Sequence, residues 1–164
     1  MGIFSGTGDT GETSILNRQR VSKNDPIIHF TGVCDELNAH LGLVKAMFPG
    51  EDTRRFFIEE IQKKLMKLMS HASDPANEEY FLSEDEVSVL EKEIARLSEQ
   101  LPKQQFVLPG HSITEAQIHI ARTVARRTER LFFAANEERR LCPKAGAYLN
   151  RLSDYLFVLS QQEF

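Results

Sequence analysis

Apolar residues recur at three- and four-residue steps along most of this chain, and no segment alternates convincingly with period two. Phe30, Val33, Leu37, Leu41, Val44 and Met47 form one stripe. Phe57, Ile61, Leu65 and Leu68 form a second, and Val87, Leu90, Ile94, Leu97 and Leu101 a third. Leu149, Leu152, Leu156 and Leu159 close the series. This spacing predicts amphipathic helices whose apolar faces meet in a common core. Punctuation agrees. Asn24-Asp25-Pro26 is a helix start, Pro49-Gly50 a stop, and a second helix begins near Thr53. Ser83 with Glu86, and Ser112 with Glu115, have capping-box spacing, the latter opening a helix to about Glu138. Pro143 opens the last helix. The expected fold is all-α, an up-and-down five-helix bundle over residues 26–164, behind an irregular N-terminal arm of residues 1–25 rich in Gly, Ser and Thr.

The 164 residues suit one domain with a real core. No apolar run approaches the roughly 20 residues that span a bilayer, and the first four residues lack the basic start of a signal peptide, so a cytoplasmic protein without membrane association is expected. Cys34 and Cys142 make no disulfide framework and are expected to be small buried residues. The net charge of −4 hides an asymmetry. Residues 1–101 carry 11 Lys and Arg against 18 Asp and Glu, whereas residues 102–164 carry 9 against 6. An acidic whole disfavours nucleic acid, while a local basic cluster suits a small anion.

Three groups of residues can carry chemistry. Gly6-Thr7-Gly8-Asp9-Thr10-Gly11 spells a G-x-G-x-x-G string, but five preceding residues leave no room for the strand that a dinucleotide fold requires. Its glycines suit backbone N–H groups wrapped around a phosphate, with Thr7, Thr10 and Thr13 alongside; a plain exposed tail is the alternative. Next, Arg122, Arg126, Glu129 and Arg130 fall within about 100° of one helix face, with Glu115 and His119 extending the stripe backward. Arginine forks suit phosphate or carboxylate, and Glu129 can hold a guanidinium; a solvated helix face is the alternative. Finally, Asn150 and Asp154 share a face opposite an apolar stripe, and Asp35 can pair with an arginine across a helix interface. His111, Glu115 and His119 have helical ligand spacing, but Ser112 puts His111 outside the helix, and no metal site is expected there. No G-x-S-x-G, Cys-x-x-Cys or P-loop lysine motif occurs.

Together these pieces resemble the PduO-type ATP:cob(I)alamin adenosyltransferases. The resemblance is carried by Thr7-Gly8-Asp9-x-Gly11-x-Thr13, by Gly32 to Asn38 with Gly42, by Phe106 to Gly110, by His119 to Arg130, and by Leu149 to Tyr155. It implies a homotrimer of five-helix bundles that binds ATP with Mg²⁺ and cobalamin between subunits, and forms adenosylcobalamin and tripolyphosphate. It places Thr7, Gly8, Asp9, Gly11 and Thr13 in a nucleotide-binding loop with Lys23 just beyond. Arg126 and Asn150 match ATP contacts, and Glu129 and Arg130 match positions that shape the pocket. Asp35 and Arg122 match an intersubunit salt bridge at the active site, and Phe106 an aromatic that packs on the corrin. A reductase or an adenosylcobalamin-dependent enzyme is the implied protein partner.

Some positions depart from the family pattern. Gly6 and Thr10 replace loop cations, His111 a glycine, Asn17-Arg18 a glycine-containing pair, and His71 an aspartate. Each missing cation weakens triphosphate binding by roughly 1–3 kcal/mol if the contact is buried, unless Arg18 or Arg20 compensates. A homologue that binds or delivers adenosylcobalamin without making it, and a helical interaction module, are therefore alternatives.

Overall fold

Asp25 caps the first helix by accepting the Ile27 N–H at 2.9 Å, with Pro26 in the opening turn where its missing donor is harmless. That helix, α1, spans Pro26–Met47. Asp52 starts α2 (Thr53–Ser73) in the same way. Ser83 and Glu86 close a complete capping box on α3 (Glu84–Ser98), three residues shorter than its apolar stripe predicts. Ser112 caps α4 (Ile113–Arg139), and Pro143 opens α5 (Pro143–Ser160). The computed structural model describes residues 6–99, 101 and 107–162.

Cross-helix contacts fix the directions. α1 and α4 run antiparallel: Asp25 meets Arg139, Val33 meets Thr128, and His40 meets Gln117. α2 runs back along α1, with Gln62 donating to the Asn38 carbonyl and Cys34 Sγ facing the Leu65 carbonyl. Gly146 and Asn150 of α5 pass Phe133 and Glu129 of α4 in reverse order. α3 and α5 lie parallel, paired by Glu84 with Lys144 and by Glu91 with Arg151. The five directions therefore alternate, as an up-and-down bundle requires. The core brings the four predicted stripes together with the apolar face of α4, including the edge-to-face pair Phe30–Phe132 at 5.6 Å and Phe57 against Tyr155 at 5.1 Å.

The arm is not wholly irregular, so the all-α expectation is corrected. β1 (Glu12–Ser14) pairs antiparallel with β2 (Arg20–Ser22), Thr13 opposite Val21. Three-residue strands are too short for a period-two signal, and an isolated hairpin is marginal in water. Docking secures this one. Ile15 is buried, the Asn17 N–H donates to the Ser73 carbonyl at 3.4 Å, and Arg139 reaches Asp25 at 3.0 Å and the Gln19 side chain at 3.5 Å.

The cysteines divide. Cys34 is fully buried, and burial, helped by Asp35, pushes its thiol up to about 12. Cys142 corrects the expectation: it is half-buried at the corner before α5. Its N–H donates 2.8 Å to Nε2 of His71, at the end of α2. His71 thus stitches α2 to the α4–α5 corner. No helix is long and apolar enough to cross a membrane among the described residues.

Candidate functional site

The glycines of the hairpin act through backbone conformation. Gly6 and Gly11 hold φ of +70° and +85°, which residues with a Cβ rarely adopt. Two tight turns result, Asp9 N–H to the Gly6 carbonyl and Gly11 N–H to the Gly8 carbonyl, both 3.3 Å. The Gly11 carbonyl then accepts the Lys23 N–H at 2.8 Å, which draws Lys23 over the turn. A Cβ at Gly8 would sit 3.2 Å from Lys23 Nζ, so the bare backbone lets the ammonium lie there. Thr7, Asp9 and Thr10 are exposed beside it, and Thr13 is half-buried in β1. Arg20 does not stand open as a spare cation: it bonds Glu12 and the Thr7 carbonyl, each at 3.1 Å.

The second part lies on α4 and α5. Asn150 is held at both ends, its Nδ2 donating to Glu129 at 2.9 Å and its Oδ1 accepting from Arg151 at 2.6 Å. Arg151 is in turn fixed by Glu91 of α3 at 2.8 Å. Arg126, one turn before Glu129, is exposed and makes no ion pair among the described residues. Arg130 turns back to donate to the Arg126 carbonyl at 3.1 Å. Asp154 belongs to the same cluster. Burial raises its carboxyl above the usual range; Arg151 opposes, Glu129 adds, and Arg126 opposes again. The i, i+4 spacing of Asn150 and Asp154 signals this face, although the family resemblance implies no role for Asp154.

The basic stripe is not uniform. Arg127 binds Glu36 of α1 and serves the bundle. Arg122 is half-buried, its Nε donating to His119 Nδ1 at 3.2 Å. Asp35 is exposed on α1, and neither it nor Arg122 forms an ion pair among the described residues. Phe106 lies outside the described residues. Glu115 supplies only half of the expected capping box. Its N–H bonds Ser112 at 3.0 Å, but its carboxylate accepts the N–H groups of Gly110 and His111 at 2.7 and 3.1 Å.

The residues expected to bind one nucleotide therefore form two groups. Thr7, Gly8, Asp9, Gly11, Thr13 and Lys23 gather at the hairpin; Arg126, Glu129, Arg130 and Asn150 gather on α4 and α5. The hairpin docks on α4 at Arg139, about 20 Å along the helix from Arg126 at 1.5 Å per residue. A cleft of about 270 Å³ opens between the start of α4 and the end of α5, lined by Val107, His111, Glu115, Ser160 and Gln162 among others. Among the described residues no three His, Cys, Asp or Glu side chains converge to hold a metal.

A family model described as cobalamin adenosyltransferase matches residues 3–163. The corrinoid adenosyltransferase PduO of Salmonella typhimurium is 37% identical across 99% of this chain, and this chain spans only about half (50%) of that protein's length. The cobalamin adenosyltransferase of Cupriavidus metallidurans is 38% identical across 97% of this chain and 86% of its own. Among solved structures, a phenylalanine-to-alanine variant of the PduO-type ATP:corrinoid adenosyltransferase from Lactobacillus reuteri, complexed with cobalamin and ATP, superposes with a TM-score of 0.89. It is 31% identical, with 98% of this chain and 92% of that one covered. An arginine-to-lysine variant of the same enzyme, complexed with ATP, gives 0.88. With a family match over nearly the whole chain and the same five helices in space, this chain belongs to the PduO-type cobalamin adenosyltransferase family.

Proposed function

We propose that this chain transfers the 5′-deoxyadenosyl group of ATP to reduced cobalamin, giving adenosylcobalamin and tripolyphosphate, at sites shared between the subunits of a homotrimer. The carrying observation is the separation of the two nucleotide-binding groups within one chain. A hairpin about 20 Å along α4 from Arg126 completes that site most simply when it comes from a neighbouring copy. Asp35 and Arg122 fit the same assembly, since opposite charges without an ion partner among the described residues can pair across an interface.

In this reading the cobalt electron pair attacks C5′, a Co–C bond forms, and the C5′–O bond breaks toward the triphosphate. Negative charge grows on the leaving group. Arg126, exposed and without an ion pair among the described residues, counters that charge, and Lys23 with the hairpin N–H groups holds the triphosphate. Asn150, fixed by Glu129 and Arg151, orients the nucleotide, and in-line placement supplies much of the acceleration. No general base is required. Phe106 is assigned the apolar wall that keeps axial ligands off the cobalt. The donor set suits Mg²⁺ only as an ion carried by the phosphates: Asp9 is an exposed carboxylate that, among the described residues, belongs to no group of three His, Cys, Asp or Glu side chains. When bound, Mg²⁺ would neutralise charge on the triphosphate.

The test is to supply ATP, Mg²⁺ and chemically reduced cobalamin and to follow the cobalamin spectrum. Turnover that disappears in Arg126→Ala is expected, as is a trimer by light scattering. Tight cobalamin binding without turnover at millimolar ATP would instead favour a carrier, which Gly6 and Thr10 in place of loop cations would then explain. Binding of neither ligand would leave an interaction module.

A further inference from the structure

Two buried ionisable side chains have no task in that scheme. Glu115 and His119 are 4% and 5% exposed, in the first two turns of α4. Charged and titratable groups are rarely buried so deeply without a partner or a purpose. We propose that Glu115 and His119 are positioning residues, a relay that sets the Gly110–His111 corner and the Arg122 guanidinium together. The proposal rests on the adenosyltransferase reading.

The geometry runs through both oxygens of one carboxylate. Glu115 Oε2 accepts the Gly110 and His111 N–H groups at 2.7 and 3.1 Å. Gly110 has φ of +119°, and a Cβ there would meet nothing within 4 Å, so glycine is required for backbone conformation rather than space. The carboxylate therefore pins a corner whose backbone conformation favours glycine. Its other oxygen, Oε1, lies 2.9 Å from His119 Nε2, a close polar contact between two buried atoms that have no other partner and whose present geometry falls short of a hydrogen bond.

His119 passes the constraint on. Its Nδ1 accepts the Arg122 Nε–H at 3.2 Å, so the proton of a neutral ring sits on Nε2, facing the carboxylate. Burial disfavours the imidazolium, against the pull of Glu115 and with the push of Arg122, and the ring stays an acceptor. Burial also works against the Glu115 carboxylate, but the two backbone N–H bonds and the neighbouring histidines hold its carboxyl below the usual range.

Arg122 is thus gripped at Nε, while its terminal nitrogens, which make no ion pair among the described residues, remain for an anion outside the chain. The corner lies four residues after Phe106 in the sequence. One buried carboxylate consequently governs the Gly110–His111 corner and, through one imidazole, the arginine proposed to join the next subunit. A plain helix cap would end at Ser112. The i, i+4, i+7 continuation to Arg122 distinguishes the relay.

The test compares steady-state kinetics of Glu115→Ala, Glu115→Gln, His119→Ala and the Glu115→Ala/His119→Ala double variant, each measured well below its own Tm. Glu115→Ala and His119→Ala are expected to lower kcat/KM for reduced cobalamin on the order of 10- to 100-fold, with the KM for ATP changed less than about twofold. Glu115→Gln keeps one acceptor oxygen for the Gly110 and His111 N–H groups but turns an amide donor toward the ring Nε2–H, so it should recover only the part of the loss that comes from the corner. The double variant should be little worse than either single one, because the two residues act as one unit. Singles that fold and keep wild-type kcat/KM for cobalamin would overturn the relay, as would losses shared equally by ATP, or losses that add in the double variant. A wild-type chain without turnover would overturn the adenosyltransferase reading itself, and the relay's role with it.

Discussion

The hairpin and the α4–α5 face are assigned to the same nucleotide, yet they are built by opposite means. The hairpin works with backbone: glycines at positive φ, two tight turns, three-residue strands and mostly exposed side chains. The helical face works with side chains already locked before any ligand arrives. Asn150 is bonded at both ends, and Arg151 is tied to a third helix. A backbone loop can close over a phosphate and release it, because little else depends on its conformation. A face preorganised by buried helices cannot yield, and supplies its electrostatics without reorganisation. On the proposed function, transition-state stabilisation falls to α4 and capture of the triphosphate to the hairpin.

Arg126 is where that division can be broken most sharply. On the proposed function, Arg126→Ala should lower kcat on the order of 10²- to 10³-fold, the loss that follows removal of one charge-stabilising donor, with Tm nearly unchanged because the side chain is exposed and makes no ion pair among the described residues. Single-turnover kinetics at saturating ATP would check it. An effect confined to the KM for ATP would place Arg126 with the capturing groups instead. Lys23→Ala should act in the opposite sense, raising the KM for ATP about 10-fold with kcat altered much less. Gly8→Val should resemble it, since the new side chain must push Lys23 Nζ aside. Thr10→Lys restores a cation that the family pattern has in the loop, and should lower the KM for ATP severalfold, by about 1 kcal/mol for an exposed charge. If the gain appears in kcat, the loop takes part in the transition state.

The helices were readable because each stripe is long and its caps are chemically explicit, as with Asp25-Pro26 and the Ser83–Glu86 box. The hairpin was not, since Glu12–Ser14 and Arg20–Ser22 are shorter than any periodic signal, and their pairing depends on docking against Ser73 and Arg139. The arginine run shows a different limit. Helical spacing puts Glu115, His119, Arg122, Arg126 and Glu129 on one stripe, but a stripe with a period near 3.5 drifts about 20° per heptad around an ideal helix. Its N-terminal end is consequently buried while Arg126 is exposed. Arg127, beside the stripe, is spent on Glu36. Periodicity identifies a face; only the packed neighbours decide where that face enters the core.

The smallest expected effect concerns the end of the bundle on which the hairpin rests. His71 Nε2 accepts the Cys142 N–H at 2.8 Å, two residues before the Ser73 carbonyl that receives Asn17. That bond needs a neutral ring, and burial lowers the His71 pKa. Below its ordinary value near 6.5 the unfolded chain takes up a proton that the folded chain refuses. Stability is therefore fully present above pH 6.5 and falls as the pH drops toward the folded pKa. His119 acts in the same direction through its own burial, so an acid loss alone does not isolate His71. The decisive measurement is Tm from pH 7.5 to 5.5 for the wild type and for His71→Asn, which keeps an acceptor but does not titrate. The variant should show a shallower loss, and the protection of the Asn17 and Cys142 amides, corrected for the intrinsic pH dependence of exchange, should fall in acid for the wild type alone. An equal slope in both proteins would mean that the hairpin's footing is independent of His71, and that the loop's mobility is set within the hairpin itself.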